Sequence, residues 1–271
     1  MARRRAGSFN AAFWLLPAAP RRAMNVLYAY FRLSDDLVDG PGTAEDKATA
    51  LADWRREVES ALAGGSPSSD YLPALADVVE RFQVEPAWLL ELLDGMAQDL
   101  DHQPFATWAD LERYCYRVAV TVGLASIRVW GCRDPRATEP ARAAGYAFQL
   151  TNILRDLRAD AAGGRIYLPR ELWEPLGAQP ADLTSDRWPL PWLEAARLAA
   201  ARAESYFAQA APLEALLPLR SKGIWQAMLG TYRALLSDLR QRDFAPGAGQ
   251  LGWLQRWSIV VRAVAQRWSR S

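Results

Sequence analysis

Two pairs of aspartates repeat one spacing along this chain. Asp35 and Asp39 bound the run Asp35-Asp36-Leu37-Val38-Asp39, and Asp156 and Asp160 close the run from Gln149 through Asn152 and Arg155. On a helix, residues four apart share a face with their carboxylates ~5–7 Å apart, and like charges at that spacing repel. Aspartates near a helix C-terminus also oppose the helix dipole. A solvated polar helix end is one reading, and a cation held between the carboxylates is the other. Two such pairs on two interior helices can face one another across a cavity, each holding Mg²⁺ through carboxylate oxygens, with the metals bridging to a diphosphate. The chain has one histidine, His102, which excludes a multi-histidine metal site.

Around these pairs stand groups suited to phosphate. Only two of the 32 basic residues are lysine, Lys47 and Lys222, so the remainder are arginines with planar, bidentate guanidinium groups. Arg32, Arg155 and Arg165 are positioned as phosphate forks, with salt bridges to the neighbouring aspartates as the alternative. Gln149 and Asn152 precede Asp156 on nearby helical faces, where amides orient water or phosphate oxygens. A third feature is Tyr114-Cys115-Tyr116-Arg117-Val118-Ala119-Val120-Thr121-Val122-Gly123. Its small and β-branched residues lower helix propensity, so shape outranks helicity there. The segment reads either as a core helix or as the wall of an apolar tunnel, with Tyr28, Val118, Val120, Val122 and Gly123 lining it and Tyr114 offering a phenol.

The elements that must hold these residues are helices. Apolar positions recur at spacings of three and four, predicting helices at about 20–38, 45–64, 70–82, 85–100, 106–131, 138–160, 190–215, 220–243 and 251–268. Turn chemistry separates them at Gly40-Pro41-Gly42, Gly64-Gly65, Gln103-Pro104, Gly163-Gly164 and Pro246-Gly247. The fold class is all-α, a helical bundle around a central cavity, and no linker divides residues 1–271 into more than one domain. A chain of 271 residues with 51% hydrophobic side chains supports a sizeable core, and a net charge of +1 gives no field to gather nucleic acid. Cys115 and Cys132, placed on one helix, are ~25 Å apart, so free thiols in a reducing, cytoplasmic compartment are expected. Arg3, Arg4 and Arg5 before the apolar stretch from Ala11 imitate a signal peptide, but Pro17, Arg21 and Arg22 interrupt that pattern. No apolar run is long enough to span a membrane. Peripheral attachment at an inner membrane face stays open, and Trp253, Trp257 and Trp268 make the last predicted helix a candidate for it.

Together, Ser8-Phe9 through Leu15-Leu16-Pro17, Tyr28 to Asp39, Tyr114 to Gly123, Gln149 to Asp160 and Arg165-Ile166-Tyr167-Leu168-Pro169 resemble the squalene and phytoene synthase family of head-to-head prenyl transferases. The resemblance runs in order from about residue 8 to residue 245. It implies an isoprenoid-synthase helical fold and Mg²⁺ bound by Asp35, Asp39, Asp156 and Asp160, with Asp36 in support. It further implies prenyl diphosphates held by Ser8, Arg32, Gln149, Asn152, Arg155, Arg165 and Tyr167, with Tyr114 near the reacting carbons. Two units condense through a carbocation and a cyclopropyl intermediate in that family. The segment from Val122 to Gly131 is more similar to bacterial squalene-type members, which join two C15 farnesyl diphosphates to presqualene diphosphate or squalene and draw on NADPH where the step is reductive. Phytoene synthase, joining two C20 geranylgeranyl diphosphates, is the alternative, and a non-catalytic assembly protein of the family is a third. The oligomeric state is not fixed.

Three positions depart from the family pattern. Val120 stands where a small residue is usual, which predicts a narrower tunnel. Ala159 replaces an acid before Asp160, which predicts a less negative second metal site. The loop from Phe244 to Gly252 lacks the basic residues that usually follow the equivalent of Tyr232.

Overall fold

The computed structural model describes residues 12–185 and 187–250, so Ser8 and the predicted helix 251–268 lie outside the described residues. Helices follow the predicted order closely: α1 (Ala18–Asp39), α2 (Ala44–Leu62), α3 (Leu72–Phe82), α4 (Pro86–Leu100), α5 (Trp108–Cys115), α6 (Thr121–Val129) and α7 (Thr138–Ala162). After the short α8 (Arg170–Trp173) come α9 (Leu190–Ala210), the one-turn α10 (Leu213–Leu216) and α11 (Leu219–Gln241). Among the described residues there is no strand, and no helix is long and apolar enough to cross a membrane.

Local chemistry sets the boundaries. Thr43 and Asp46 close a reciprocal capping box on α2, and Thr107 with Asp110 does the same for α5. Proline occupies the first turn of α3, α4 and α9, where its missing N–H costs nothing. Gly164, at φ +80, turns the chain out of α7 in a conformation that few other residues adopt.

The predicted helix 106–131 contains an interruption that its periodicity conceals. Between α5 and α6, Tyr116–Val120 winds as a π-turn, and Thr121 N–H donates to Tyr116 C=O, five residues back. Two glycines admit this wider coil. A Cβ at Gly95 of α4 would come within 2.6 Å of Val118 Cγ1, and one at Gly145 of α7 within 2.7 Å of Val120 Cα. The β-branched run from Val118 to Val122 is thus gripped between two helices that lack side chains at the contact points.

Helix α7 is the axis of the bundle, packed against α9, the π-turn, α6 and α11. One cluster of buried side chains gathers α1 to α4 and α6 around Leu27, Tyr30, Leu89 and Trp225, all 2% exposed or less. The other gathers α5, α9 and α11 on the second half of α7, with Trp173 and Trp192 stacked at 5.3 Å. Tyr146, Phe148, Val118, Tyr206 and Leu229 adjoin both clusters. Cys115 and Cys132 are buried and free.

The glycine contact generates a prediction. Because the nearest atom to a new Cβ on Gly145 is backbone, Gly145→Ala cannot be absorbed by a rotamer change and should cost ~1–3 kcal/mol. Urea denaturation of the variant measures this, and an unchanged midpoint would mean that the π-turn has slack.

Candidate active site

The two aspartate pairs sit at the C-terminal ends of α1 and α7. In the first, Arg32 donates to Asp35 Oδ2 at 3.0 Å and to Asp36 Oδ1 at 2.8 Å, so the salt-bridge alternative is realised there. Asp35 nonetheless has its carboxyl raised to about 6, by burial first and then by the neighbouring charge of Asp39, against the pull of Arg32. Asp99 on α4 contributes to the same repulsion.

Asp99 was not legible as a site residue, yet it joins the aromatic groups. Its two carboxylate oxygens divide between two phenols: Tyr167 donates to Oδ1 at 2.8 Å and Tyr114 to Oδ2 at 3.0 Å. The two tyrosine rings stack at 5.3 Å, and Phe105 lies 5.3 Å from the Tyr114 ring. His102 packs on Tyr167 at 4.7 Å with Nε2 3.3 Å from the carbonyl of Ile166. Burial raises Asp99 despite both phenolic hydrogen bonds and the nearby charges of Arg165 and His102. Burial also pushes the Tyr114 phenol well above its ordinary range, reinforced by the charge of Asp99. The available signal was the sequence Asp99-Leu100-Asp101-His102 ending a helix one turn before Phe105, but an isolated aspartate has no spacing to mark it.

In the second pair, Arg155 binds its neighbour Asp156 through Nη2 at 2.6 Å and Nε at 3.1 Å. Asn152 lies between Gln149 Oε1 at 3.5 Å and the Tyr232 hydroxyl at 3.4 Å. Gly249, at φ +73, brings the loop after α11 against the Arg155 side chain, so the segment that lacks the family's basic residues does adjoin this motif. Ala159 is exposed while Asp156 and Asp160 are partly buried. An acid at that position would stand at an exposed point of the same helix turn, and its absence leaves one negative charge fewer beside the pair.

Arg165 links the motifs. Burial lowers the proton affinity of its guanidinium, but the charges of Tyr167, Asp99, Asp160 and Asp39 outweigh this and raise it. One cation is thus within electrostatic reach of acids from α1, α4 and α7. Among the described residues no three histidine, cysteine, aspartate or glutamate side chains converge as a ready-made metal cage.

The residues expected to line a tunnel divide. Tyr28, Val118, Val122 and Gly123 are partly buried. Val120 is 0% exposed and meets Gly145, so it walls no open space and the expected narrowing at that position is corrected.

Comparison with known proteins places the chain in a family. Residues 2–260 match the family described as Squalene/phytoene synthase. Phytoene synthase 3, chloroplastic, of Zea mays is 37% identical over 88% of this chain, which spans 57% of that protein's length. A 15-cis-phytoene synthase of Synechococcus elongatus is 34% identical over 89% of this chain and 82% of its own. Among solved structures, a dehydrosqualene synthase in complex with a ligand superposes with a TM-score of 0.89 at 26% identity, covering 98% of this chain and 94% of that one. The squalene synthase HpnC from Alicyclobacillus acidocaldarius gives 0.83 at 27% identity, with 90% and 92% covered.

The electrostatics of Asp35 predict a pH dependence. A carboxyl raised from 3.8 to about 6 in the folded chain costs stability once it ionises, so the cost is absent below about pH 4 and complete above about pH 6. Asp35→Asn should therefore melt higher than the parent protein at neutral pH, with the difference vanishing toward pH ~4. Thermal unfolding across that range tests it, and a variant less stable at neutral pH would show that Arg32 outweighs the repulsion.

Proposed function

Because this chain belongs to the squalene/phytoene synthase family, we propose that it joins two prenyl diphosphates head to head in a magnesium-dependent reaction. The observation that supports this most is the reach of Arg165 to Asp39, Asp99 and Asp160, since it brings groups from three helices to bear on one space. The donor set fits a hard cation: all the candidate ligands are carboxylates, and Asp35 carries a charge that its surroundings do not fully compensate. Asp35, Asp39, Asp156 and Asp160 would hold Mg²⁺, with Asp36 in support. When bound, Mg²⁺ neutralises the charge that builds on the departing diphosphate.

The chain's own residues account for the rest. Arg32, Arg155 and Arg165 present guanidinium forks to diphosphate oxygens, with Gln149, Asn152 and Tyr167 as neutral partners and Ser8 added by the family resemblance. Tyr114 and Tyr167 stack as an aromatic wall that excludes water and favours a carbocation by cation–π attraction. Asp99 fixes the direction of both phenolic hydrogens, leaving each oxygen's lone pairs for a proton lost from the substrate. Tyr28, Val118, Val122 and Gly123 then border the hydrocarbon chains.

We favour two C15 farnesyl diphosphates, giving presqualene diphosphate or squalene, on the likeness to the dehydrosqualene and squalene synthase structures. The second reading, two C20 units, is favoured by identities of 33–37% to phytoene synthases. The burial of Val120 removes one argument for the shorter chains. Retention of both aspartate pairs argues against a non-catalytic assembly role.

Incubation of the purified protein with Mg²⁺ and farnesyl or geranylgeranyl diphosphate, with and without NADPH, should yield a C30 or a C40 product. No product from either substrate, together with no thermal stabilisation by Mg²⁺ plus inorganic diphosphate, would leave the assembly role. Asp39→Asn and Asp160→Asn should each lower kcat at least ~10²-fold at unchanged helical content. Asp99→Asn and Tyr114→Phe should each lower kcat by ~10²-fold, and the double variant should be no worse than either alone, since the two act as one unit. Additive losses would separate their roles.

A further inference from the structure

The opposite end of α1 from its aspartates presents a second charged surface of the other sign. A cleft of about 280 Å³ opens there, lined by Pro17, Pro20, Arg81, Phe82, Arg133 and Arg220 among others. It is built by the first turns of α1 and α11 and by the C-terminal ends of α3 and α6. From Ala19 to Asp35 along α1 is ~24 Å, so the cleft is separate from the carboxylate site.

The cations here are not neutralised. Arg21, Arg22, Arg81, Arg133 and Arg220 form no ion pair with an acid among the described residues. Arg133 is occupied structurally, donating to the carbonyls of Arg128 at 2.7 Å and Phe82 at 2.9 Å, which closes the ends of two helices. Its charge is nevertheless crowded: burial first, then Arg128 and Arg220, lower its proton affinity. Arg220 lies against Gly131 without a comparable structural duty, while Arg81 stands in the last turn of α3 and packs over the Phe82 ring at 5.6 Å. The first turns of α1 and α11 contain no acid although they carry Arg21, Arg220 and Lys222, cations that the helix dipole disfavours at those positions. Fold stability therefore does not explain the cations at these two helix N-termini. The terminal segments do not neutralise it either, because residues 1–11 and 251–271 contain no aspartate or glutamate and add seven arginines.

Apolar side chains are interspersed with the charges. Trp14 is 73% exposed beneath the guanidinium of Arg21, 4.5 Å from its ring centroid, and Leu219, beside Arg220, is 52% exposed. An exposed tryptophan and leucine rimmed by unpaired arginines match the interface of an anionic bilayer, where the apolar groups enter the headgroup region and the cations meet phosphates.

We propose that this end of the bundle docks on an anionic phospholipid surface, with Trp14 and Leu219 inserted and Arg21, Arg81 and Arg220 on the lipid phosphates. Docking leaves the aspartate end of α1 facing away from the membrane, and it does not depend on which prenyl diphosphate is used.

Co-sedimentation of the full chain with vesicles tests it. Binding to vesicles containing half phosphatidylglycerol, absence of binding to pure phosphatidylcholine, and release by about 0.5 M salt are expected. Arg81→Ala with Arg220→Ala should weaken binding to the anionic vesicles at least ~tenfold, and Trp14→Ser with Leu219→Ser should weaken it further. These variants should keep the circular-dichroism spectrum and the turnover of detergent-dispersed substrate. Equal binding to neutral vesicles, no binding to anionic ones, or undiminished binding by the arginine variant would each overturn the proposal. The last result would assign attachment to residues 251–271. Saturation by inorganic diphosphate without vesicle binding would make the cleft a site for a soluble anion.

Discussion

The arrangement depends on keeping several carboxylates partly out of water at one end of a helical bundle that elsewhere buries aliphatic and aromatic side chains. Such charges are tolerated only when each finds a partner. Arg32, Arg155 and Arg165 answer on one side, and the phenols of Tyr114 and Tyr167 on the other. The balance is incomplete at Asp35, whose carboxyl is raised by burial first and then by the charge of Asp39, beyond what Arg32 offsets. A site that is short of positive charge is one in which a cation and its anionic ligand bind better together than apart.

Positioning these charges falls to long helices whose ends coincide with the motifs. Helix α7 supplies Gln149, Asn152, Arg155, Asp156 and Asp160 from one continuous coil, and Gly164 stops it immediately afterwards. Helix α4 brings Asp99 in on its last turn. The two core clusters meet around Tyr146, Phe148 and Val118. Val118, one of the residues proposed to border the hydrocarbon chains, thus also belongs to the seam of the folding core.

Much of this was legible before any coordinates. Helix spans such as 138–160 against the observed Thr138–Ala162 follow from apolar periodicity and from glycine and proline punctuation, both local signals. The aspartate pairs were visible because a repeated spacing is itself a pattern. Asp99 was not, because its importance arises from two tyrosines, one of them 68 residues away along the chain. Val120 was assigned to a wall from helical spacing alone, but the π-turn changes the angular register of its segment and turns it toward Gly145.

The π-turn has a consequence for how this segment can vary over evolutionary time. A π-turn contains one residue more than the α-helical turn it replaces. Deleting one residue between Tyr116 and Val120 would restore the regular coil with little rotation of α6 relative to Tyr114, because the π-turn spends its extra residue within about the same angle as an α-turn. The face of α6 turned to α7 would be kept, and only the bulge's own contacts, Val118 on Gly95 and Val120 on Gly145, would be lost. Length can therefore change by one residue in this stretch at a local cost, and it is coupled to the two glycines that make room for the wider coil. Lineages descending from such a chain should pair a one-residue deletion there with side chains larger than hydrogen in place of Gly95 and Gly145.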